Sequence, residues 1–358
     1  MSENLVIQSH NGPYRVFFED NCLINLNSNI PENAHFIIDQ NLANLYTDQM
    51  KNILNYHSTL VIASYEENKA LEKFPSYVAH LVAKKLRRNH LLIAIGGGII
   101  QDITCFLSAT ILRGVDWSFY PTTLLSQADS CIGSKSSINS GAAKNILGTF
   151  TPPKRIYINV SFLDTLTDVD VRSGIGEMLK AHIIDGPESF DKIAADYEKL
   201  RNHKFLFKYY IKRSLDIKKN YIEIDEFDKG PRNKFNYGHS FGHAIEAATD
   251  FKIPHGIAVT IGMDMANFIS AKIGVGREAD FDRMHPTLKL NYKGFESHVI
   301  PIEKFMAAIS KDKKNIGSEN LTLILPGLDG YVFRDSYANN EKFLNLCKNF
   351  LNAVRMQA

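Results

Sequence analysis

The 358-residue chain has little of several features that would place it quickly. It has four cysteines, Cys22, Cys105, Cys131 and Cys347, and none forms a C-x-x-C pair, which excludes a zinc ribbon or a thioredoxin-like motif. Four scattered thiols in a chain this long fit a reducing compartment better than a disulfide scaffold. Net charge is nearly absent: 41 Lys and Arg against 39 Asp and Glu leave +2 with neutral histidines. No global field would gather nucleic acid or an anionic membrane. No apolar run approaches the roughly 18–20 residues that cross a bilayer. The stretch from Ser2 to Asn21 lacks the apolar core of a signal peptide. With 44% apolar and 22% charged residues, disorder as the main state is excluded. The expectation is a soluble cytoplasmic protein of two domains, with no nucleic-acid or membrane partner.

The two halves of the chain are patterned differently. The first alternates short apolar runs, at His35–Asp39, Thr59–Ala63, Leu91–Ile95, Trp117–Pro121 and Arg155–Val160, with helical patterns such as Ala70–Arg88 and Gln101–Ile111. That alternation predicts βαβ units and a mostly parallel sheet. After about Phe162 long helical patterns dominate, at Val171–Ile184, Phe205–Ile224, Ser240–Thr249, Gly256–Ile273 and Glu341–Val354, with one late strand at Leu321–Leu325. The boundary falls after Pro152 and Pro153, giving an α/β domain over residues 1–160 and a mostly helical domain over 161–358.

Three features carry chemistry. Ile93-Ala94-Ile95-Gly96-Gly97-Gly98 is an apolar strand running into three glycines, followed by a helix bearing Asp102. Such a turn lets the backbone approach a phosphate and aims a helix N-terminus at it, which suits a dinucleotide at the mouth of a parallel sheet. Gly133-Ser134-Lys135-Ser136 lacks the spacing of a P-loop. In Asn236-Tyr237-Gly238-His239-Ser240-Phe241-Gly242-His243-Ala244-Ile245-Glu246, His239 and His243 share a helix face at i and i+4, and His255 follows in Pro254-His255-Gly256. With Glu177, read as beginning another helix in Gly174-Ile175-Gly176-Glu177, these are natural donors for a borderline divalent metal. Spacing alone leaves open which histidines bind. The third feature is a scattered polar set, Arg113, Lys135, Lys144, Asn145, Lys180, Lys218, Arg232, Lys313 and Lys314, several of them in glycine-rich loops. If convergent, it would suit a small anion bearing phosphate or carboxylate.

Taken together, the blocks GGGIIQD, RGVDWSFYPTTLLSQADSCIGSK, INSGAAKNILG, SGIGEMLK, RNKFNYGHSFGHAIEA, PHGIAVTIGM and DKKNIG make the chain, from about Asp39 to its C-terminus, resemble the 3-dehydroquinate synthases and their relatives, the sugar phosphate cyclases. The resemblance implies a Rossmann-like NAD domain, a helical metal domain, an active site in a cleft and a homodimer. By it, NAD contacts fall to Asp39, Glu66, Lys69, Gly97, Gly98, Asp102, Thr122, Thr123, Lys144, Phe162 and Thr165. The Zn²⁺ (or Co²⁺) ligands become Glu177, His239 and His255. His243 instead faces the substrate phosphate, with Lys135, Asn145 and Lys314, while Arg113 reaches a phosphate across the dimer interface. Asp129 and Lys180 hold hydroxyls; Lys218, Arg232 and Asn236 bind a carboxylate.

The implied reaction is a step of the shikimate pathway. NAD⁺ transiently oxidises a ring hydroxyl of a seven-carbon keto sugar acid phosphate, phosphate leaves by β-elimination, the hydride returns, and an intramolecular aldol step closes a carbocycle. Three positions depart from the family pattern: Ser134 for a usual glycine, Asp228 for a usual glutamate and Gln101 for a common glycine. Retention of Lys218, Arg232 and Asn236 favours the carboxylated substrate over other sugar phosphates. A metal-dependent polyol dehydrogenase, which would release NADH, is the competing class.

Overall fold

Isoleucine-, valine- and aromatic-rich runs of four to six residues cannot hide both faces alone, so they assemble into a sheet that helices cover. The computed structural model describes residues 4–141, 143–200, 203–311 and 320–356. Its strands are β1 (Asn4–Ile7), β2 (Tyr14–Phe18), β3 (Ala34–Asp39), β4 (Thr59–Ile62), β5 (Leu91–Gly96), β6 (Asp116–Pro121), β7 (Ile138–Ser140), β8 (Ala143–Leu147), β9 (Arg155–Ile158), β10 (Asn320–Pro326) and β11 (Val332–Ala338). Its helices are α1 (Cys22–Ser28), α2 (Gln40–Leu45), α3 (Lys51–Leu54), α4 (Phe74–Ala83), α5 (Gly98–Thr110), α6 (Asp168–Asp185), α7 (Pro187–Leu200), α8 (Lys204–Ile224), α9 (His239–Ala248), α10 (His255–Ile273), α11 (Glu278–Asn291), α12 (Ile302–Ser310) and α13 (Glu341–Asn352).

The chain divides into two compact units, one of residues 1–166 with 219–227, the other of 167–218 with 228–358. The first unit holds a seven-stranded sheet in the order β1-β2-β9-β6-β5-β3-β4. Only β1 runs antiparallel to its neighbour. The five apolar runs of the sequence are β3, β4, β5, β6 and β9. Phe36, Ile38, Ile93 and Ile95 are fully buried in this core with Leu23 and Ile53 from the covering helices and Met50 just before α3. All four cysteines are buried, and none is in a disulfide.

Among the described residues, the second unit is helical apart from the β10–β11 hairpin and the connecting turns. Residues 256–270 of α10 are buried all round, which marks it as the central helix. The 70–88 pattern resolves into 3₁₀ turns and then α4, whose Pro75 suits a first turn because its missing N–H would be unpartnered there anyway. Glu177 does not begin a helix. It lies in the middle of α6, which starts at a Thr167 cap that accepts from the Asp170 N–H. Among the described residues, no helix is long and apolar enough to cross a membrane.

Candidate active site

In the first unit, β5 delivers the three glycines to its carboxyl end. A Cβ on Gly97 would stand 2.9 Å from Thr123 Cγ2, whereas one on Gly98 would meet nothing within 4 Å. Gly98 opens α5, so open space lies beside a helix N-terminus, a cradle that fits the phosphates of a dinucleotide. Thr122 donates its N–H to the Gly96 carbonyl at 3.0 Å, and Thr123 bonds the Ser126 hydroxyl at 2.8 Å. Asp39 ends β3 and caps α2 through the Asn41 N–H. These contacts fix the strand ends around the cradle.

Beside it lies a charged network that sequence spacing could not join. Lys69, buried, pairs with Asp102 at 2.8 Å and donates to Asn145 Oδ1 at 3.2 Å; Glu66 stands 3.7 Å away. Ser137 N–H donates to Asp102, Ser137 Oγ donates to Asn145 Oδ1, and Asn139 links the Glu66 carboxylate to the Asn145 N–H. Burial raises the Asp102 carboxyl, and Lys69 opposes that rise. Four of the expected residues, Glu66, Lys69, Asp102 and Asn145, thus meet. Ser137 and Asn139 were not singled out from sequence; their only signal was membership of the segment that also carries Lys144 and Asn145.

The remaining expected residues of this unit are placed as follows. Lys135 and Lys144 are exposed, Lys144 on the β7–β8 hairpin. Asp129 is half-buried in the 126–130 turn. Phe162 is buried against Tyr46, with Thr165 exposed behind it. Arg113 is exposed where three successive residues, Leu112, Arg113 and Gly114, take positive φ. Two family departures acquire roles. Gln101 exchanges two 2.6 Å hydrogen bonds with Ser130, stapling α5 to the turn that carries Asp129. Ser134 adopts a left-handed backbone at φ 66°, a conformation that a glycine would take without strain. In the second unit Asp228 also takes positive φ, and its carbonyl accepts from Asn233.

The second unit's site is built by close helix packing. A Cβ on Gly176 would meet the Gly256 carbonyl at 2.5 Å, and one on Gly256 would strike the Ser173 carbonyl. A Cβ on Gly242 would lie 3.0 Å from Val259 Cα. Glycine therefore lets α6 and α9 touch the α10 backbone, and this approach brings Glu177, His239 and His255 together. Glu177 Oε1 lies 3.4 Å from His255 Nε2 and 3.7 Å from His239 Nε2. The ligand atoms of His239, His243 and His255 all lie within 4.8 Å of one another.

The outer ring nitrogens are already committed. His239 Nδ1 donates to the Tyr237 carbonyl at 3.2 Å, and His255 Nδ1 lies 3.2 Å from Glu246 Oε2. Such bonds set the tautomer and turn Nε2 inward, as in metal sites. Lys180 stands 2.5 Å from Glu177 Oε2 and 5.5 Å from the Phe235 ring. Burial would raise the Glu177 carboxyl, but Lys180 and His255 hold it well below the usual range. Burial would likewise lower the His255 imidazole, but Glu177 and Glu246 raise it to about 10. A fully buried carboxylate facing inward imidazole nitrogens is a donor set that fits a divalent cation.

Arg232 and Asn236 share the Pro231–Asn236 turn, whose Phe235 meets Lys180. Arg232 and Lys218 are buried. Lys314 lies outside the described residues.

A dinucleotide cradle in one unit and a carboxylate–histidine cluster in a helical second unit define an α/β-plus-helical architecture suited to nucleotide and metal. Known proteins share both the sequence and the fold. The 3-dehydroquinate synthase N-terminal family matches residues 59–173 and the 3-dehydroquinate synthase C-terminal family matches 174–315. The chain belongs to the 3-dehydroquinate synthase family. A 3-dehydroquinate synthase of Acetivibrio thermocellus is 37% identical over 75% of each chain. The fold is that of the 2-epi-5-epi-valiolone synthase of Streptomyces hygroscopicus with NAD⁺ and Zn²⁺ bound (24% identity, TM-score 0.82, 94% of this chain and 96% of that one). It is equally that of a 2-deoxy-scyllo-inosose synthase complexed with carbaglucose-6-phosphate, NAD⁺ and Co²⁺ (20% identity, TM-score 0.82, 97% and 99%).

Proposed function

We propose that the chain is an NAD- and metal-dependent carbon–oxygen lyase that converts 3-deoxy-D-arabino-heptulosonate 7-phosphate to 3-dehydroquinate and inorganic phosphate. The observation that carries this reading is the Glu177–His239–His255 cluster with its outer hydrogen bonds, in a chain of this family. When bound, NAD would supply reversible hydride exchange and Zn²⁺ or Co²⁺ would supply Lewis acidity.

The chain's own residues do the holding. Glu177, His239 and His255 take the ion, and Tyr237 and Glu246 keep the two rings turned toward it. Lys180 balances the second Glu177 oxygen and, with Asp129, orients substrate hydroxyls. Gly97, Gly98 and the α5 N-terminus take the dinucleotide phosphates, with Asp39, Glu66, Lys69, Asp102, Thr122, Thr123, Lys144, Phe162 and Thr165 around them. His243, Lys135, Asn145, Lys314 and Arg113 face the substrate phosphate. They stabilise the negative charge that grows on it as its C–O bond breaks. Lys218, Arg232 and Asn236 grip the carboxylate, as charge-assisted bonds do. The assembly is a cytoplasmic homodimer in this reading, with Arg113 on its exposed turn serving the partner's site.

The test is phosphate release by the purified protein with NAD⁺ and Zn²⁺ or Co²⁺, offered 3-deoxy-D-arabino-heptulosonate 7-phosphate and sedoheptulose 7-phosphate separately. Phosphate from the first alone, without accumulating NADH, is expected. Turnover of the second alone would remove Arg232 from its role and make the chain a cyclase of another substrate. Net NADH without phosphate would make it a dehydrogenase.

A further inference from the structure

Glu226 has no part in the chemistry above, yet it is one of the most heavily bonded carboxylates in the first unit. It is 9% exposed. Its Oε1 accepts from Ser134 Oγ at 2.6 Å and from Ser9 Oγ at 2.6 Å, with His10 Nδ1 at 3.1 Å, while Oε2 accepts from the His10 N–H at 2.7 Å. Burial would raise this carboxyl, but the bonds from Ser134, Ser9 and His10 hold it below its ordinary value, so it stays ionised. Three stretches distant in sequence, 9–10, 134 and 226, are tied at one group.

The Ser134 end of this tie lies next to Lys135. Gly133 and Ser134 take positive φ in succession, at 108° and 66°. A serine in the left-handed region is held there against its own preference. What holds it is visible on every side. The Gly133 N–H donates to the Tyr14 hydroxyl, the Ser134 carbonyl accepts from the Thr151 N–H at 2.7 Å, and the Ser134 hydroxyl ends on Glu226. Ser134 and Ser136 are buried, and Lys135 between them is exposed, so the turn forces that one side chain outward. Phe227 adds a side wall, packing on His10 and Phe150.

We infer that Glu226 is a positioning residue for Lys135, acting through the Ser134 hydroxyl to hold the Gly133–Lys135 turn in the one conformation that presents the lysine. The inference rests on the phosphate role proposed for Lys135. Ser134→Ala removes the hydroxyl and keeps the Cβ. Ser134→Gly removes both and relieves the left-handed backbone. In the full chain loaded with NAD⁺ and Zn²⁺, both variants raise KM for 3-deoxy-D-arabino-heptulosonate 7-phosphate about tenfold, the size of one lost charge-assisted hydrogen bond, and lower kcat by less. Ser134→Gly recovers the melting temperature that Ser134→Ala loses, but not KM. Glu226→Gln, which keeps one acceptor oxygen, falls between wild type and Ser134→Ala.

Hydrogen exchange at the Thr151 and Ser136 amides provides the readout independent of turnover. It quickens at least about tenfold in Ser134→Ala. A fall in melting temperature with KM and exchange both unchanged would overturn the inference and leave a purely structural tie. If the wild-type protein releases no phosphate, the functional reading fails by itself, and unchanged exchange would still sink the latch.

Discussion

The two units assemble their charged sites by different means. In the first, the Glu66–Lys69–Asp102–Asn145 network is knitted from side-chain hydrogen bonds between a 3₁₀ turn, a helix start and the β7–β8 hairpin. In the second, Glu177, His239 and His255 meet because glycines let three helix backbones come within contact of each other. The first site depends on polar partners, the second on volume. One added methyl group should therefore harm the second more than one lost hydrogen bond harms the first.

The sharpest way to break that contrast is Gly256→Ala. Its Cβ would strike the Ser173 carbonyl, a backbone atom that cannot swing away. We expect a loss of about 3 kcal/mol or more by denaturant unfolding, together with loss of bound Zn²⁺. Gly98→Ala is the paired control in the first unit: open space awaits its Cβ, so stability should hold while NAD affinity falls, read by titration calorimetry. Equal destabilisation by the two would erase the distinction.

Lys69→Met leaves the half-buried Asp102 carboxylate without its cation, which should cost about 2 kcal/mol. Replacing Asp102 by Leu in the same chain should recover part of it, and an unfolding cycle over the four variants measures how much.

Acid probes both units through buried neutral imidazoles. Burial lowers His182 in the second unit and His35 in the first to about 4. For His35 the neighbouring His90 adds to the effect. The unfolded chain takes up these protons near pH 6.5 and the folded chain only near 4. The stabilisation is therefore present above about pH 6.5 and drains away as the pH falls toward 4. His182 is 1% exposed, so its share reaches about 3 kcal/mol. His182→Gln should flatten that slope, and a slope left unchanged would remove His182 as its source.

Much of the sheet was legible because five adjoining strands, from β9 to the β4 edge, are mainly apolar runs. The strands that escaped are short or only half-buried. Along Asn4–Ile7 and Tyr14–Phe18 buried and exposed residues alternate over too few positions, and Val332–Ala338 is mostly exposed. Among helices, α11 hid behind its internal Pro286 and a polar composition. In the site, the histidine motif stood out because i, i+4 spacing is local. The ties of Gln101 to Ser130 and Ser134 to Glu226 did not, because a hydrogen bond between residues 29 or 92 apart leaves no period in the sequence.

The central claim is the identity of the metal set, where three histidines and a glutamate compete for three places. The direct measurement is Zn²⁺ content by mass spectrometry of wild type, Glu177→Gln, His239→Ala, His243→Ala and His255→Ala, purified alike and checked for folding by circular dichroism. The account predicts a full complement of metal in wild type and His243→Ala and its loss in the other three. Retention of metal by Glu177→Gln with loss in His243→Ala would contradict it and make the site an all-histidine one.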